Sequence, residues 1–179
     1  YRFRLSDSAR DVRSRDNAYL VGISGKIFPK VIGTIRTGYQ SRRTRGPQIF
    51  ERFDGLTASL SATWTLNRRS SLTGQVNRDF STSSTDIGTE SSAATIDLKH
   101  TLNTRWSALA GLGIGQLDFL GPRGANRADT YLTSMVALSW KRNEYLSTTA
   151  SYTYLNNWSS LELADYDRHM LNLSVAVRF

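Results

Sequence analysis

From Leu56 to Leu66 every even position is apolar and every odd position is Ser or Thr, with Leu56, Ala58, Leu60, Ala62, Trp64 and Leu66 set against Thr57, Ser59, Ser61, Thr63 and Thr65. A period of two places the two sets on opposite faces of a strand. The carboxy-terminal run does the same to its last residue: Leu171, Leu173, Val175, Val177 and Phe179 share one face, and Asn172, Ser174 and Arg178 the other. The same reading predicts strands over 1–6, 18–28, 31–42, 54–66, 71–82, 92–102, 106–119, 130–141, 145–157 and 166–179. No segment carries the 3.6-residue period of a helix, so the expected fold class is all-β and antiparallel.

The predicted connections alternate in length. Short ones fall at 29–30, 67–70, 103–105 and 142–144, and longer ones at 7–17, 43–53, 83–91, 120–129 and 158–165. Eleven residues of strict alternation is about one crossing of a hydrocarbon layer by a tilted strand, and tight turns at one end with longer loops at the other is the habit of outer-membrane barrels. Aromatic residues fall into two groups. Phe28, Trp64, Trp106, Trp140 and Phe179 lie near the short turns, and Tyr39, Phe80, Tyr154 and Trp158 near the long connections. Trp and Tyr favour the headgroup interface, so these groups predict two girdles. The expectation is a single up-and-down transmembrane β-barrel domain over 1–179, in a bacterial (Gram-negative) outer membrane, with about ten strands visible. Phe179 is the expected signal to the outer-membrane assembly machinery. The first strand alternates but is too short to cross, which predicts an upstream portion.

Composition changes this picture little. Mean hydropathy is −0.39, and no stretch approaches the eighteen apolar residues of a spanning helix, as a barrel allows. There are no cysteines, which excludes disulfides and thiolate metal sites. The net charge of +8 comes from 23 Lys and Arg against 15 Asp and Glu. These charges are scattered through turns and strands, with no nucleic-acid-binding motif, so nucleic acid is not an expected partner.

Charge at mid-depth on a lipid face costs about 2–4 kcal/mol for Arg or Lys, so charges within strands should face the lumen. That assigns Lys26, Arg36, Arg42, Lys99, Lys141, Arg168 and Arg178 inward, with Asp79 and Asp97 and with Gln40, Gln75, Asn77 and Asn172. Seven cations against two anions predict an interior that favours anionic solutes. Arg78, between Val76 and Phe80, breaks the parity and is expected to snorkel to the interface. Gly111, Gly113 and Gly115 share one face of a strand, expected inward, leaving Ala110, Leu112 and Ile114 for lipid.

Asp165-Tyr166-Asp167-Arg168-His169 is the one cluster suited to acid–base work. It resembles the ten-stranded outer-membrane proteases only through Asp167 and His169, and parity turns His169 outward with Leu171. No catalytic residue, metal site or cofactor is expected, because His100 and His169 are far apart in the chain and no Ser has an oriented partner.

The runs Arg15-Asp16-Asn17-Ala18-Tyr19-Leu20-Val21-Gly22, Val31-Ile32-Gly33-Thr34-Ile35-Arg36-Thr37-Gly38-Tyr39, Phe53-Asp54-Gly55-Leu56 and Trp64-Thr65-Leu66-Asn67-Arg68-Arg69-Ser70 carry a resemblance to a known family. In them a glycine-tyrosine strand, a long loop and a tryptophan-ended strand precede an arginine turn. Together they resemble the β-barrel porin family of bacterial outer membranes associated with exopolysaccharide gene sets. The resemblance implies an outer-membrane pore, a conduit for exported polysaccharide or anionic solutes, and a larger barrel of 16–18 strands of which this chain is the carboxy-terminal part. Its implied partners are membrane lipid and lipopolysaccharide, the assembly machinery, acidic polysaccharide and periplasmic export components. Two other readings stay open: a structural or adhesive barrel whose loops bind a ligand, and a rim protease.

Overall fold

The computed structural model describes residues 2–7, 13–46, 49–82, 88–120 and 127–178. Ten strands form one sheet in which each is antiparallel to the next in chain order. They are β1 (Arg2–Asp7), β2 (Arg13–Phe28), β3 (Val31–Gly46), β4 (Ile49–Thr65), β5 (Ser70–Thr82), β6 (Gly88–Thr101), β7 (Trp106–Phe119), β8 (Ala128–Lys141), β9 (Leu146–Ser159) and β10 (Tyr166–Val177). A 3-10 turn, Glu162–Ala164, precedes β10. Among the described residues no helix is long and apolar enough to cross a membrane.

Strand number and order match the alternation pattern, but strand length does not. The ladder between β2 and β3 continues to Arg13↔Arg45, and that between β3 and β4 to Gly46↔Ile49. Residues 13–17, 43–46 and 49–53, expected in long connections, are therefore strand. The expected asymmetry of short and long connections fails at β3–β4, where only residues 47–48 separate the strands. Past the apolar belt both faces of a strand are wet, so alternation fades while the backbone keeps pairing.

Three short turns are built alike. Asn67 Oδ1 accepts from Arg69 N at 2.8 Å, Asn103 Oδ1 from Arg105 N and Trp106 N at 2.8 and 2.9 Å, and Asn143 Oδ1 from Tyr145 N and Leu146 N at 3.1 and 2.8 Å. Each Asn thereby mimics a backbone turn with its side chain. The first short turn, at Pro29 and Lys30, instead carries a register shift between Lys26 and Phe28.

The hairpins are regularly offset. The last pair of β4–β5 is Thr65↔Ser71, and Ser71 pairs with Lys99, two residues short of the last β6–β7 pair, Thr101↔Ser107. Ser107 pairs with Ser139, again two short of the last β8–β9 pair, Lys141↔Ser147. Two residues per two strands, at about 3.3 Å per residue and about 4.8 Å per strand, corresponds to a tilt of roughly 35°. At that tilt the stretch from Leu56 to Trp64 rises about 22 Å, close to the apolar band of an outer-membrane barrel.

Burial is inverted relative to a water-soluble domain. Among the described residues the only buried apolar side chain is Ala18, at 0% exposure, whereas Gln40, Arg42, Thr57, Thr89, Asp129 and Asn157 are buried. Leu56, Leu60, Val76, Ile96, Leu112, Ile114 and Leu171 are all exposed, Leu171 at 86%. Such a continuous apolar face is far beyond the patches that soluble monomers carry.

Candidate pore-lining face

Register fixes which side chains share a face. One cross-strand row runs Ile35, Leu60, Val76, Ala94, Ile114 and Leu132, and the next, shifted by two residues, runs Gly33, Ala62, Gly74, Ile96 and Leu112. This apolar side is termed the outer face. Small residues on it leave an apolar depression of about 650 Å³ over Ala108, Ala110 and Ala150, flanked by Leu98, Val136 and Leu171. Its lining suits an acyl chain, not a polar solute.

The inner face is a carpet of small hydroxyl and amide groups. Rows across it read Thr34, Ser61, Gln75, Thr95, Gly113 and Thr133, and Ser59, Asn77, Ala93, Gly115, Tyr131 and Asn157. Cross-strand hydroxyls bond each other: Ser24 to Thr34 at 2.8 Å, Thr63 to Thr73 at 3.1 Å and Ser139 to Thr149 at 2.9 Å. Each satisfies a polar group while leaving lone pairs for a solute.

The residues expected inward take three environments on this face. Gln40 and Arg42 are buried, at 1% and 6% exposure, and Gln40 Nε2 donates to the Phe80 carbonyl at 3.3 Å. Asp79 and Asp97 are half-buried. Lys26, Arg36, Gln75, Asn77, Lys99, Lys141, Arg168, Asn172 and Arg178 are exposed. Among the described residues, Lys26, Arg36, Lys99, Lys141 and Arg178 form no ion pair. The Arg168 guanidinium instead lies 5.5 Å from the Tyr166 ring centre.

Gly111, Gly113 and Gly115 are covered by the side chains of their cross-strand neighbours. Asp97 lies over Gly111, Thr133 and Thr95 over Gly113, and the Tyr131 ring over Gly115. A Cβ at Gly115 would occupy the space of that ring. Gly115→Val is therefore expected to expel Tyr131 and lower the unfolding free energy by about 1–3 kcal/mol in urea titrations of the vesicle-inserted protein. At Gly74 a Cβ meets nothing within 4 Å, and Gly74→Ala should leave the midpoint unchanged or raise it.

Of the aromatic residues, Phe28, Tyr39, Trp64, Trp106 and Trp158 are exposed. Trp106 and Trp140 are paired across β7 and β8, with ring centres 6.3 Å apart. Tyr154 is half-buried, its ring centre 5.0 Å from that of His169, and its hydroxyl accepts from Asn156 Nδ2 at 3.3 Å. Phe80 departs from the expected girdle: it is half-buried, with its ring drawn over Gly55, because only glycine there leaves room for it. Phe179 lies outside the described residues. Arg78, the parity breaker, forms an ion pair with Glu90.

Asp167 and His169 stand together on β10. His169 Nε2 is 3.3 Å from Asp167 Oδ2, and His169 Nδ1 shares a 2.7 Å hydrogen bond with Tyr152 Oη. His169 pairs with Tyr154 and Asp167 with Asn156, on the outer face. Among the described residues no three His, Cys, Asp or Glu gather to hold a metal ion. His100 Nδ1 is hydrogen-bonded to Ser70 Oγ at 2.9 Å.

Sequence reasoning missed a cluster at the end opposite the short turns. Arg127 Nε and Nη2 donate to Asp129 Oδ1 and Oδ2 at 2.9 and 2.6 Å, and Ser159 Oγ donates to Asp129 Oδ1 at 2.5 Å. The Arg127 guanidinium lies 4.5 Å from the Phe119 ring centre, and Asp165 Oδ1 accepts from Ser159 N at 2.5 Å. The Asp129↔Ser159 pair sits one step beyond the exposed Trp158, outside the membrane-crossing segment. Burial works against the Asp129 charge, but hydrogen bonds from Arg127 and Ser159, the Arg127 charge and a hydrogen bond from Asn157 outweigh it. They hold its carboxyl below the ordinary range. The Asp129 hydrogen bond raises Arg127. No local motif announces this clasp; the spacing of Arg127 and Asp129 by two residues was its only trace.

One face is apolar and exposed, the other polar and hydroxyl-rich, on a sheet tilted by roughly 35°, and the family model described as Putative beta-barrel porin 2 matches residues 1–179. The chain belongs to this β-barrel porin family. No curated protein matches it. As a porin, the molecule is a membrane-embedded β-barrel with an outer-membrane, porin-like role, and the leucines and isoleucines of its outer face are exposed. The inversion of burial follows, since a porin wall places apolar side chains toward acyl chains and polar ones toward water.

Proposed function

We propose that this porin passes anionic, hydroxyl-rich solutes, with an acidic exopolysaccharide as its cargo, and that it catalyses no reaction. The observation that supports this reading is the inner face itself. It offers rows of Ser, Thr, Asn and Gln that exchange hydrogen bonds with a polyhydroxylated chain, and among them stand Arg36 and Lys99, exposed and without an ion-pair partner among the described residues. Unpaired cations in a water-filled passage raise the local concentration of anions. In this reading lipid and lipopolysaccharide surround the outer face, the short turns face the periplasm, and export components deliver the cargo there.

Planar-bilayer conductance of the full chain under a salt gradient tests it. The expected result is an open channel whose reversal potential shows anion preference, and Arg36→Glu with Lys99→Glu should move that potential toward cation preference. A silent bilayer, or an unselective channel indifferent to both reversals, would overturn the proposal.

A further inference from the structure

The charges of the two ends of the sheet differ sharply. Four inner-face cations stand at the short-turn end, each on a different strand or just past it: Lys26, Lys99, Lys141 and Arg178. Five more occupy the turns themselves: Lys30, Arg68, Arg69, Arg105 and Arg142. All nine are exposed; Glu144 is the one carboxylate in the described turns, and Asp97 stands two residues before Lys99 on the inner face. None forms an ion pair among the described residues. At the opposite end cations and carboxylates are mixed and joined, as in Arg78–Glu90 and Arg127–Asp129.

Successive short turns are two strands apart, about 10 Å, and the Debye length at 0.01 M salt is about 30 Å. At low ionic strength the fields of neighbouring turns therefore overlap into one positive rim, which physiological salt largely screens. The inner-face members share the hydroxyl side of the wall, so lipid phosphates on the outer side do not account for them. Lys99 pairs in register with Ser71 and Leu109, and Lys141 with Ser147, which aims both at the passage.

We propose that the short-turn rim is an electrostatic entry mouth, which captures an anionic polymer faster from its own side than the opposite mouth does from the other. The inference rests on the pore reading and adds to it an end and a set of residues. Fixed charge confined to one mouth steers like-sized anions inward from that side and not from the other, by a factor that ionic strength erodes.

The test uses the full chain in bilayers of zwitterionic lipid, with sulfated dextran as the polyanion added to each side in turn. Because the protein has no cysteine, a Thr104→Cys label with an impermeant thiol reagent marks the short-turn side. Channel block should begin at least about tenfold faster from that side at low salt, converging on the other side's rate as salt rises. Lys99→Gln with Lys141→Gln, and separately Arg68→Glu with Arg69→Glu, should each reduce the asymmetry, with folding checked by circular dichroism. Symmetric block overturns the inference while leaving the pore intact. Asymmetry that disappears with the turn-tip pair but ignores the inner-face pair also overturns it, in favour of an acidic protein docking on the outside of the rim. Absence of any conductance overturns the pore reading first and this inference with it.

Discussion

Replacing Leu112 with Arg is expected to lower the stability of the membrane-inserted protein by about 2–4 kcal/mol. Leu112 is 59% exposed on the outer face, flanked by Ala110 and Ile114 on its own strand and paired with Ile96 and Ser134. Six residues separate it from Trp106, a rise of roughly 16 Å at the tilt given by the hairpin offset, so it lies well within the apolar band. In a water-soluble sheet an arginine at so exposed a site would cost almost nothing. The measurement is the unfolding midpoint in urea for protein folded into phospholipid vesicles, with Gln75→Arg on the inner face as the partner experiment. A large loss at Leu112 and little change at Gln75 is the expected pair of results. Equal, small effects would show that the outer face does not meet lipid.

The second large effect is expected at Asp129. The residue is 4% exposed, and its carboxylate receives two hydrogen bonds from Arg127 and one from Ser159. Asp129→Ala removes a shared acceptor and leaves a partly buried guanidinium without its counter-charge, a change that typically costs about 3 kcal/mol. The damage should be local, loosening the connections that Phe119, Arg127 and Asp165 tie together, and proteolysis at the 120–127 and 160–165 segments would report it. The pH dependence has a definite sign. Because the folded carboxyl titrates below its unfolded value, its stabilisation is complete above the ordinary carboxylate range near 3.9 and is lost as the pH falls through the lower folded value. Wild type and Asp129→Asn should thus differ at neutral pH and converge in acid. A gap that persists once the pH has fallen through the lowered folded value would show that the effect is packing and not charge.

Strand order and facing were legible because a half-immersed strand must alternate wherever one side meets lipid. Leu56 to Leu66 shows this rule at its clearest, and there the structure departs from expectation least. The rule loses force above the belt, which is why the continuation of β2 and β3 to Arg13↔Arg45 left no signal in the polarity pattern. Parity also says nothing of where a ring will fold once its strand leaves its neighbour. β5 pairs with β4 only as far as Arg78↔Ala58, and two residues later Phe80 turns its ring onto Gly55. The Arg127–Asp129–Ser159 clasp was illegible for a different reason, since Ser159 is 30 residues from Asp129 and meets it only through strand register. The charged rim could have been counted from the sequence, but its meaning required knowing that 26, 99, 141 and 178 stand at one end of one face.

The offset of two residues per hairpin bears on how such walls change size. Tilt depends on the ratio of stagger to strand number, and here the steps from β4–β5 to β6–β7 and from β6–β7 to β8–β9 contribute both in the same proportion. Duplicating or deleting a hairpin would therefore leave the inclination of every remaining strand, and the height of the apolar band, as they were. Only the circumference would change. An asparagine-led turn that recurs at Asn67, Asn103 and Asn143 with the same backbone bonds, Leu66 N to Ser70 O, Leu102 N to Trp106 O and Arg142 N to Leu146 O at 3.0 Å each, is what a repeating unit of that kind would leave behind. Bore and membrane fit are thus separately adjustable in this architecture.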